Sequence, residues 1–355
     1  MSSCIAGMSW VTPLGSGVDF VWQRLLGGEQ APIETLQSEQ IGARYLARRV
    51  PQDAIQNLPS HPRLRRASAI SRFAAAAGLT AIAEAREKPD LSRTALVFAI
   101  SNGGVIYTRR FFAEIVKSGA QSASPLLFPE TVFNAPASHL AAILGVRGTS
   151  YTIVGDGAVG ILALKIADDL LASTACDACL VVAAEEIDPL VCEAYRQWRL
   201  LRDPRRPGSE RGMIVSEGAG AVLLQRGTGY YEIVKIDAGT NFFRRAEAAE
   251  KLRQTVERLG NAPRACCVGS ANGTFVDRAE RSALGENAKI YSPKFALGDS
   301  IGASVLWQLI VAAQALRTEK LPETPEPVRG SRALVLACGV NQQLGGLALC
   351  CDGEK

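Results

Sequence analysis

The sequence predicts an α/β protein, and three observations support that fold class: an aliphatic-rich chain, an alternation of strand-like and helix-like segments, and a weak internal repeat. The 355 residues are 47% hydrophobic but only 6% aromatic, so the apolar content is mainly Ala, Val, Leu and Ile. Short apolar runs that alternate with longer periodic stretches are typical of sheets covered by helices. We therefore expect packed layers around a large core.

Nine short apolar runs have the length and composition of buried strands. They cover residues 4–8, 95–99, 151–154, 178–184, 219–224, 231–236, 265–268, 333–337 and 347–351. Stretches with helical periodicity lie between them, including residues 20–26, 67–84, 158–171 and 301–316. The last two helices are apolar on nearly every side, which predicts that they lie between two sheets.

These two central helices also occupy matching places in an internal repeat. Each follows an aspartate, Asp156 in VGDGAVG and Asp299 in LGDSIGA. Each is followed by an apolar strand and then by a strand rich in Gly and Leu. We therefore predict two duplicated halves, residues 1–228 and 229–355, which meet at the glycine-containing loop RGTGYY.

Charge and hydropathy exclude several classes of function. Thirty-nine Lys and Arg against thirty-five Asp and Glu leave a net charge of +4, too small and dispersed to indicate nucleic-acid binding. No apolar run reaches the roughly 20 residues that a transmembrane helix needs. The first residues lack a basic patch followed by an apolar segment, so no signal peptide is predicted. The expected compartment is the cytoplasm.

The nine cysteines do not form a metal-binding pattern. Cys176 and Cys179 make one C-x-x-C pair, but no second pair follows at ligand spacing. The only two histidines, His61 and His139, lie far away in the sequence. We therefore expect buried, reduced thiols, and neither a metal nor a cofactor.

Five segments occur in a fixed order along the chain. They are GMSWVTPLG (7–15), SPLLFPETVFNAPASHLAAILGVRGTSYT (124–152), EGAGAVLL (217–224), SANGT (270–274) and SPKFALGDSIGAS (292–304). In this order they resemble the β-ketoacyl synthases of the thiolase superfamily. The resemblance implies a five-layer αβαβα fold with two buried central helices.

The same resemblance implies a catalytic cysteine at the start of a buried helix and two histidines on later loops. In this chain the cysteine position falls on Gly157, and the histidine positions fall on Asn272 and Asp299. Residues 154–171 contain no Cys, Ser or Thr, so a small shift of register restores no nucleophile. By this alignment the chain by itself is not a condensing enzyme. Lys294 matches a lysine of the family's active-site region, and we interpret it as part of a structural ion pair.

The aspartates at the two helix starts have two interpretations. Asp156 and Asp299 are predicted to be helix N-caps, each stabilising its helix by about 1 kcal/mol. Alternatively, Asp156, Asn272 and Asp299 form a new acid/base or nucleophilic set, a role that suits buried carboxylates of raised pKa.

A family member without the cysteine resembles a chain length factor, the partner of a catalytic ketosynthase in type II polyketide synthases. That resemblance implies a heterodimer in which this chain forms the far wall of the acyl tunnel. We predict the interface at residues 134–151, with Phe133, Asn134, His139 and Tyr151 at the interface or tunnel. Many chain length factors carry Gln where this chain has Gly157, and the short chain is similar to the compact partners in aryl polyene systems.

Other partners and functions remain open from the sequence. A basic cluster at residues 63–72 could contact an acidic acyl carrier protein transiently, or it could be an ordinary solvated face. An enzyme with a rearranged active site that uses Asp299 and Asn272 is one alternative function. A homodimeric scaffold that binds acyl chains is another.

Overall fold

The computed structural model describes residues 3–206, 208–227, 229–260, 266–285 and 288–351. The helices are α1 (Val18–Leu26), α2 (Ala69–Ala83), α3 (Val105–Ser118), α4 (Ala135–Leu144), α5 (Val159–Ala172), α6 (Pro189–Gln197), α7 (Ala248–Leu259), α8 (Phe275–Leu284), α9 (Lys294–Leu297) and α10 (Ser304–Thr318). Residue 265, at the start of a predicted strand, and residue 228, at the predicted boundary between halves, lie outside the described residues.

Most of the strands belong to one large sheet. The strands are β1 (Ser3–Thr12), β2 (Gly15–Ser16), β3 (Glu34–Ser38), β4 (Ala43–Arg48), β5 (Thr94–Ile100), β6 (Ser150–Val154), β7 (Ala178–Glu185), β8 (Val215–Ser216), β9 (Gly218–Arg226), β10 (Tyr231–Asn241), β11 (Cys266–Val268), β12 (Ile290–Tyr291), β13 (Arg332–Cys338) and β14 (Gln343–Cys351). The large sheet has the order β12-β11-β13-β14-β10-β1-β9-β7-β5-β6, with β2 paired to β1. Strands β3, β4 and β8 form a small separate sheet.

The two ends of the large sheet have the same topology. From one edge inward the order is β6-β5-β7-β9-β1, and from the other it is β12-β11-β13-β14-β10. In each set the second strand pairs in parallel with the first and the third, and the fourth strand runs antiparallel to the third. The equivalent order agrees with the repeat seen in the sequence, and the α/β fold class is confirmed.

The sequence predicted two sheets, but the two sets of strands form one continuous sheet. Strands β1 and β10 pair antiparallel, with Ser3 opposite Ile233 and Ile5 opposite Tyr231. Each strand is the last of its set, and an unpaired edge would leave N–H and C=O groups without partners. Apolar patterning locates strands but does not show which edges join.

Helices α5 and α10 lie between the two sets of strands, as predicted. Helix α5 contacts β5 and β7 on one side and β10 and β14 on the other, and α10 contacts β9, β11 and β13. Helices α2 and α4 cover one outer face, and α7, packed against α8, covers the other. The resulting order of layers is helices, one set of strands, the central helix pair, the other set of strands, and helices. Among the described helices none is long and apolar enough to cross a bilayer.

The two central helices touch at a glycine. A β-carbon added at Gly160 in α5 would lie 2.7 Å from Cβ of Val305 in α10. Thirteen consecutive residues of α10, from Ser304 to Leu316, are buried. A close approach of this kind leaves no room for a side chain, so the small residue sets the distance between the helices.

We expect Gly160→Ala to lower the free energy of unfolding by about 1–3 kcal/mol, because the added methyl group overlaps Val305 in a packed core. Denaturant-induced unfolding measures the change. Gly27→Ala is the control: Gly27 is exposed, has an ordinary φ of −73°, and its added β-carbon would lie 3.4 Å from the nearest atom. Equal stabilities of the two variants would contradict the predicted overlap.

Candidate active-site region

The residues singled out by the sequence come together at the carboxyl ends of the parallel strands. The loops after β6 and β11 carry Gly157 and Asn272, and Asp299 follows α9, the short helix after β12. Carboxyl ends of neighbouring parallel strands open at the same edge of a sheet, where α/β proteins place their sites. In this structure, the loops that follow both sets of strands lie in one region, around the starts of α5 and α10.

Asn272, Lys294 and Asp299 form a buried hydrogen-bonded cluster. Nδ2 of Asn272 donates to Oδ2 of Asp299 at 2.7 Å, and Nζ of Lys294 donates to the same oxygen at 3.0 Å. The Lys294 and Asp299 side chains are each only 2% exposed. The amide oxygen of Asn272 accepts from Oγ1 of Thr274 at 2.6 Å. Both ends of the Asn272 amide are therefore already bonded within the chain.

The pKa of Asp299 shifts in the opposite direction to that required of a general acid. Burial favours the neutral carboxyl, but the charge of Lys294 and the donors Asn272 and Ile301 outweigh burial and hold the pKa below its ordinary value. Asp299 is therefore an ionised partner of Lys294. The geometry supports the structural ion pair that the sequence suggested for Lys294, and it gives no support to the acid/base alternative.

Neither aspartate is the N-cap of its helix, so both capping predictions are wrong. The N-cap of α10 is Ala303, and Oδ1 of Asp299 instead accepts from the backbone N–H of Ile301 at 2.9 Å and from Oγ of Ser304 at 3.0 Å. The N-cap of α5 is Ala158, with no side-chain cap. An aspartate before an apolar helix suggests an N-cap. In both cases one or more residues separate the aspartate from the N-cap position, so its carboxylate bonds to other donors.

Asp156 holds the loop between β13 and β14. Its Oδ2 accepts from the backbone N–H groups of Asn341 at 2.9 Å, Gln342 at 2.9 Å and Gln343 at 3.3 Å. In return, Oε1 of Gln343 accepts from the backbone N–H of Asp156 at 2.8 Å. Consecutive backbone N–H groups are a favourable environment for an anion. Asp156 therefore joins the loop at the start of α5 to the C-terminal half of the fold.

Gly157 faces another glycine across this junction. A β-carbon at Gly157 would lie 3.0 Å from Cα of Gly339, and one at Gly339 would collide with the Asp156 carboxylate. The position that resembles the family's cysteine is therefore closely packed against backbone.

Three residues of this region were assigned no part in the site from the sequence: Cys338, Ser270 and Glu280. Oγ of Ser270 accepts from the backbone N–H of Cys338 at 2.8 Å and donates to Oε1 of Glu280 at 2.7 Å. Burial, together with the charges of Glu280 and Asp156, raises the pKa of the Cys338 thiol. A protonated, buried thiol is a poor nucleophile. The position of Cys338 at the carboxyl end of an apolar strand was the signal available in the sequence.

Two adjacent glutamates were also not identified from the sequence: Glu185, the last residue of β7, and Glu186, which follows it. Burial raises the pKa of Glu185 to about 8 and that of Glu186 to about 7. Both line a cavity of about 20 Å³ together with Ser216 and Ser300. That volume accommodates no more than a water molecule. The cavity therefore offers no space for a substrate beside these acids.

The residues predicted at an interface or tunnel lie apart from the buried cluster. Phe133 and Tyr151 are 47% and 45% exposed, and Asn134 is also exposed. A β-carbon at Gly103 would lie 2.5 Å from Cδ1 of Phe133, so the Phe133 ring covers that glycine. His139 is buried, and its Nε2 lies 2.8 Å from Oε1 of Glu130.

The other titratable side chains considered from the sequence give no metal site. Nδ1 of His61 accepts from the backbone N–H of Arg63 at 3.2 Å. Cys176 and Cys179 are both buried, and their thiols hydrogen bond to each other. In the described part of the chain, no three His, Cys, Asp or Glu side chains form a group that could hold a metal ion.

The family model named "Beta-ketoacyl synthase, N-terminal domain" matches residues 3–228, more than half of the chain. The chain therefore belongs to the β-ketoacyl synthase family, which the resemblance in the sequence indicated. Among curated proteins it is 24% identical over 371 residues to 3-oxoacyl-[acyl-carrier-protein] synthase 2 of Rhizobium meliloti, with 90% of this chain and 87% of that protein covered. The synthase 2 of Vibrio cholerae is 22% identical, but the match spans only 57% of its length.

Solved structures show the same fold over the whole chain. A β-ketoacyl synthase from Burkholderia phymatum has a TM-score of 0.82 at 18% identity, with 99% of this chain and 100% of that one covered. The structure named "The ishigamide ketosynthase/chain length factor" has a TM-score of 0.79 at 19% identity and the same coverage. A complex described as a type II polyketide acyl-carrier protein with its ketosynthase matches with a TM-score of 0.79 at 17% identity.

Replacing Asp299 by Asn should destabilise the fold by about 3–5 kcal/mol, because Lys294 would remain buried without a counter-charge. The ion pair's contribution should also depend on pH. It is fully present above the ordinary pKa of 3.8 and is lost as the pH falls through the lower pKa of the folded state. Denaturant-induced unfolding at pH 7 and at pH 3 measures both effects.

Asp177→Asn is the control for this prediction, because Asp177 pairs with Arg93 at the surface and its side chain is 51% exposed. An exposed pair contributes about 0–1 kcal/mol. If both variants lost equally little stability at pH 7, removal of Asp299 from the buried pair would not have the predicted energetic cost.

Proposed function

We propose that this chain is a non-catalytic, ketosynthase-like subunit, a chain length factor, that pairs with a catalytic β-ketoacyl carrier-protein synthase. In type II polyketide biosynthesis it would shape the tunnel for the growing acyl chain. The observation that carries the proposal is the bonding of Asn272 and Lys294 to Asp299. Side chains at the two positions that resemble the family's histidines are bonded to each other in the interior.

The chemistry of condensation supports the same conclusion. Acyl transfer to the enzyme needs a thiolate or an activated hydroxyl, and Gly157 has no side chain. Asn272 does not exchange protons near neutral pH, and Asp299 is held ionised by Lys294. Cys338, the nearby thiol, is buried and kept protonated. The rearranged-enzyme alternative, which relies on Asp299 and Asn272, therefore lacks a nucleophile, and neither of these two residues is suited to act as a general acid or base.

The distribution of exposed apolar side chains supports a protein partner. Eight of the seventeen large apolar residues exposed in the described chain lie between residues 112 and 154. Strand β6, which carries Tyr151, is the last strand at its end of the sheet, and its outer edge has no partner within the described chain. An apolar edge strand is a site where another chain can pair. We place the interface with the ketosynthase here.

The homodimeric scaffold and the heterodimer differ in which chain binds at this surface: a second copy of this chain or a catalytic ketosynthase. A scaffold would pair with itself and need no catalytic subunit. The structures of similar fold include one whose name combines a ketosynthase with a chain length factor, and another in which a ketosynthase binds an acyl carrier protein. These names favour the heterodimer, with the carrier protein as a transient partner.

The isolated chain should not extend an acyl carrier protein with malonyl units, because its cluster supplies no nucleophile. Gly157→Cys should not restore extension, since the histidine positions are still Asn272 and Asp299, and the new β-carbon would lie 3.0 Å from Gly339. Mass spectrometry of the carrier-bound products tests both statements. A catalytic β-ketoacyl synthase under the same conditions is the positive control, and extended product from either form of this chain would overturn the proposal.

In the complex with its ketosynthase, Phe133→Ala should lengthen the product and Phe133→Trp should shorten it, because each added methylene needs space in a packed wall. The product distribution is measured by mass spectrometry after co-expression. Phe243→Ala is the matched control, since Phe243 is 86% exposed and lies outside the surface assigned to the partner. A ketosynthase that makes the same product at the same rate with or without this chain would defeat the assignment.

A further inference from the structure

A small cavity of about 20 Å³ lies between the end of β7, strand β8 and the loop before α10. Four carboxylates line it, and the residues that carry them are each at most 5% exposed: Glu185, Glu186, Asp188 and Asp299. We call this space the glutamate cavity, after the two glutamates that are adjacent in the sequence. It concentrates acidic groups in the interior of a chain whose net charge is +4.

The chain itself neutralises only the two aspartates of this cavity. Arg109 lies 2.9 Å from Asp188, and Lys294 lies 3.0 Å from Asp299. Among the residues that the structure describes, no Lys, Arg or His nitrogen lies within 4.0 Å of a carboxylate oxygen of either glutamate. A carboxyl group in the interior must be paired, protonated or bound to a cation. The two glutamates therefore need a proton or a cation that the described chain does not supply.

Three oxygen atoms of residues that line the glutamate cavity have no hydrogen-bond partner within the described chain. They are Oε1 of Glu186 and the hydroxyl oxygens of Ser216 and Ser300. All three residues are at most 5% exposed. The other carboxylate oxygen of Glu186 accepts from the backbone N–H of Ile70 at 3.2 Å. Buried polar atoms are almost always bonded, so three unbonded oxygens around one space indicate a ligand that accepts their lone pairs.

The backbone beside Ser300 is strained at the wall of the cavity. Ile301 has a φ of +48°, in the left-handed region that β-branched residues rarely adopt. Its backbone N–H donates to Oδ1 of Asp299 at 2.9 Å, and both residues line the cavity with Ser300. Strain of this kind persists only where the surroundings hold it, and it concentrates at ligand sites. The strained turn is consistent with a site that fixes the position of Ser300.

We propose that the glutamate cavity binds one alkali cation, Na⁺ or K⁺, through Oε1 of Glu186 and the hydroxyl oxygens of Ser216 and Ser300. Hard cations take oxygen ligands, and the cation would supply the charge that the glutamates lack. A space of the size of one water molecule admits a bare alkali cation but not a hydrated Mg²⁺. The described residues include no group of three His, Cys, Asp or Glu suited to a metal ion. Two neutral hydroxyls and one carboxylate oxygen form a different set, which suits a monovalent ion.

A cation at this position would join both halves of the fold. Glu185 and Glu186 stand at the end of β7, and Glu185 accepts from the backbone N–H groups of Ser101 and Asn102 in the loop after β5. Ser300 belongs to the loop before α10 in the C-terminal half. The bound ion would therefore stabilise the loop that carries Asp299. The inference is independent of whether the chain condenses acyl groups.

The test is thermal unfolding of the full chain, alone or in its complex, in NaCl, in KCl and in choline chloride at one ionic strength. Choline is too large for the cavity, so it controls for screening by salt. A cation that binds only the folded state should raise the melting temperature by about 2–4 °C at ten to a hundred times its Kd, and the effect should saturate. The salt that acts at the lower concentration identifies the preferred ion.

Glu186→Gln should abolish the difference between alkali and choline salts. In choline chloride this variant should melt no lower than the native chain, because it removes a buried carboxylate that has no partner charge. Ser300→Ala deletes one ligand, so a higher salt concentration should be needed for the same effect. Glu280→Gln is the matched control: Glu280 is 1% exposed but does not line the cavity, so the variant should keep the response to the alkali cation.

Crystals grown with Rb⁺ or Tl⁺ in place of the alkali salt locate the ion directly. An anomalous peak within bonding distance of Glu186, Ser216 and Ser300 is the expected result. Equal melting temperatures of the native chain in all three salts would mean that the cavity holds only water beside protonated carboxyl groups. That result, or an undiminished alkali effect in Glu186→Gln, would overturn the proposal.

Discussion

The close contact between α5 and α10 is the constraint on which the rest of the structure depends. Gly160 and Val305 meet in a space that admits no added methyl group. Helix α10 is buried along thirteen consecutive residues, and α5 buries seven of its fourteen residues. Two such helices satisfy their apolar surface only between two layers of strands. Their starts then lie in the same region, and the loops that precede them are brought together from distant parts of the chain.

The proposed loss of the family's catalytic groups is consistent with this geometry, because the loops that carry Asn272 and Asp299 bond to each other in the interior. The loops remain in position because the central helices hold them, and polar residues there must find partners in the interior. Asn272, Lys294 and Asp299 do so by bonding to each other, and Asp156 does so through the backbone N–H groups of the loop after β13. A buried ion pair adds little net stability, but removal of one partner is costly. The region is therefore a buried cluster whose polar side chains bond within the chain.

A surface groove between β4 and the segment after α6 is lined by seven of the described arginines, although the net charge of the chain is only +4. Arg44 lies more than 150 residues before the other arginines of the groove, and the small sheet brings the two segments together through the parallel pairing of β4 and β8. The sequence drew attention to residues 63–72 because that basic run is contiguous. A contiguous basic segment can be recognised in the sequence, whereas arginines that are distant in the sequence become neighbours only when the chain folds.

The sequence by itself determined the α/β class, the two central helices and the positions of nine of the fourteen described strands, because each follows from the apolar pattern of a short segment. It also predicts that Gly157, Asn272 and Asp299 stand where the family's motif carries a cysteine and two histidines, and the proposed function depends on that alignment. Tertiary structure alone decided that β1 and β10 join the strands into one sheet, that Asp156 holds a distant loop, and that Asp299 pairs with Lys294. The physical reason is that a carboxylate bonds to whichever donors the fold brings within about 3 Å, and local sequence does not specify which donors those are.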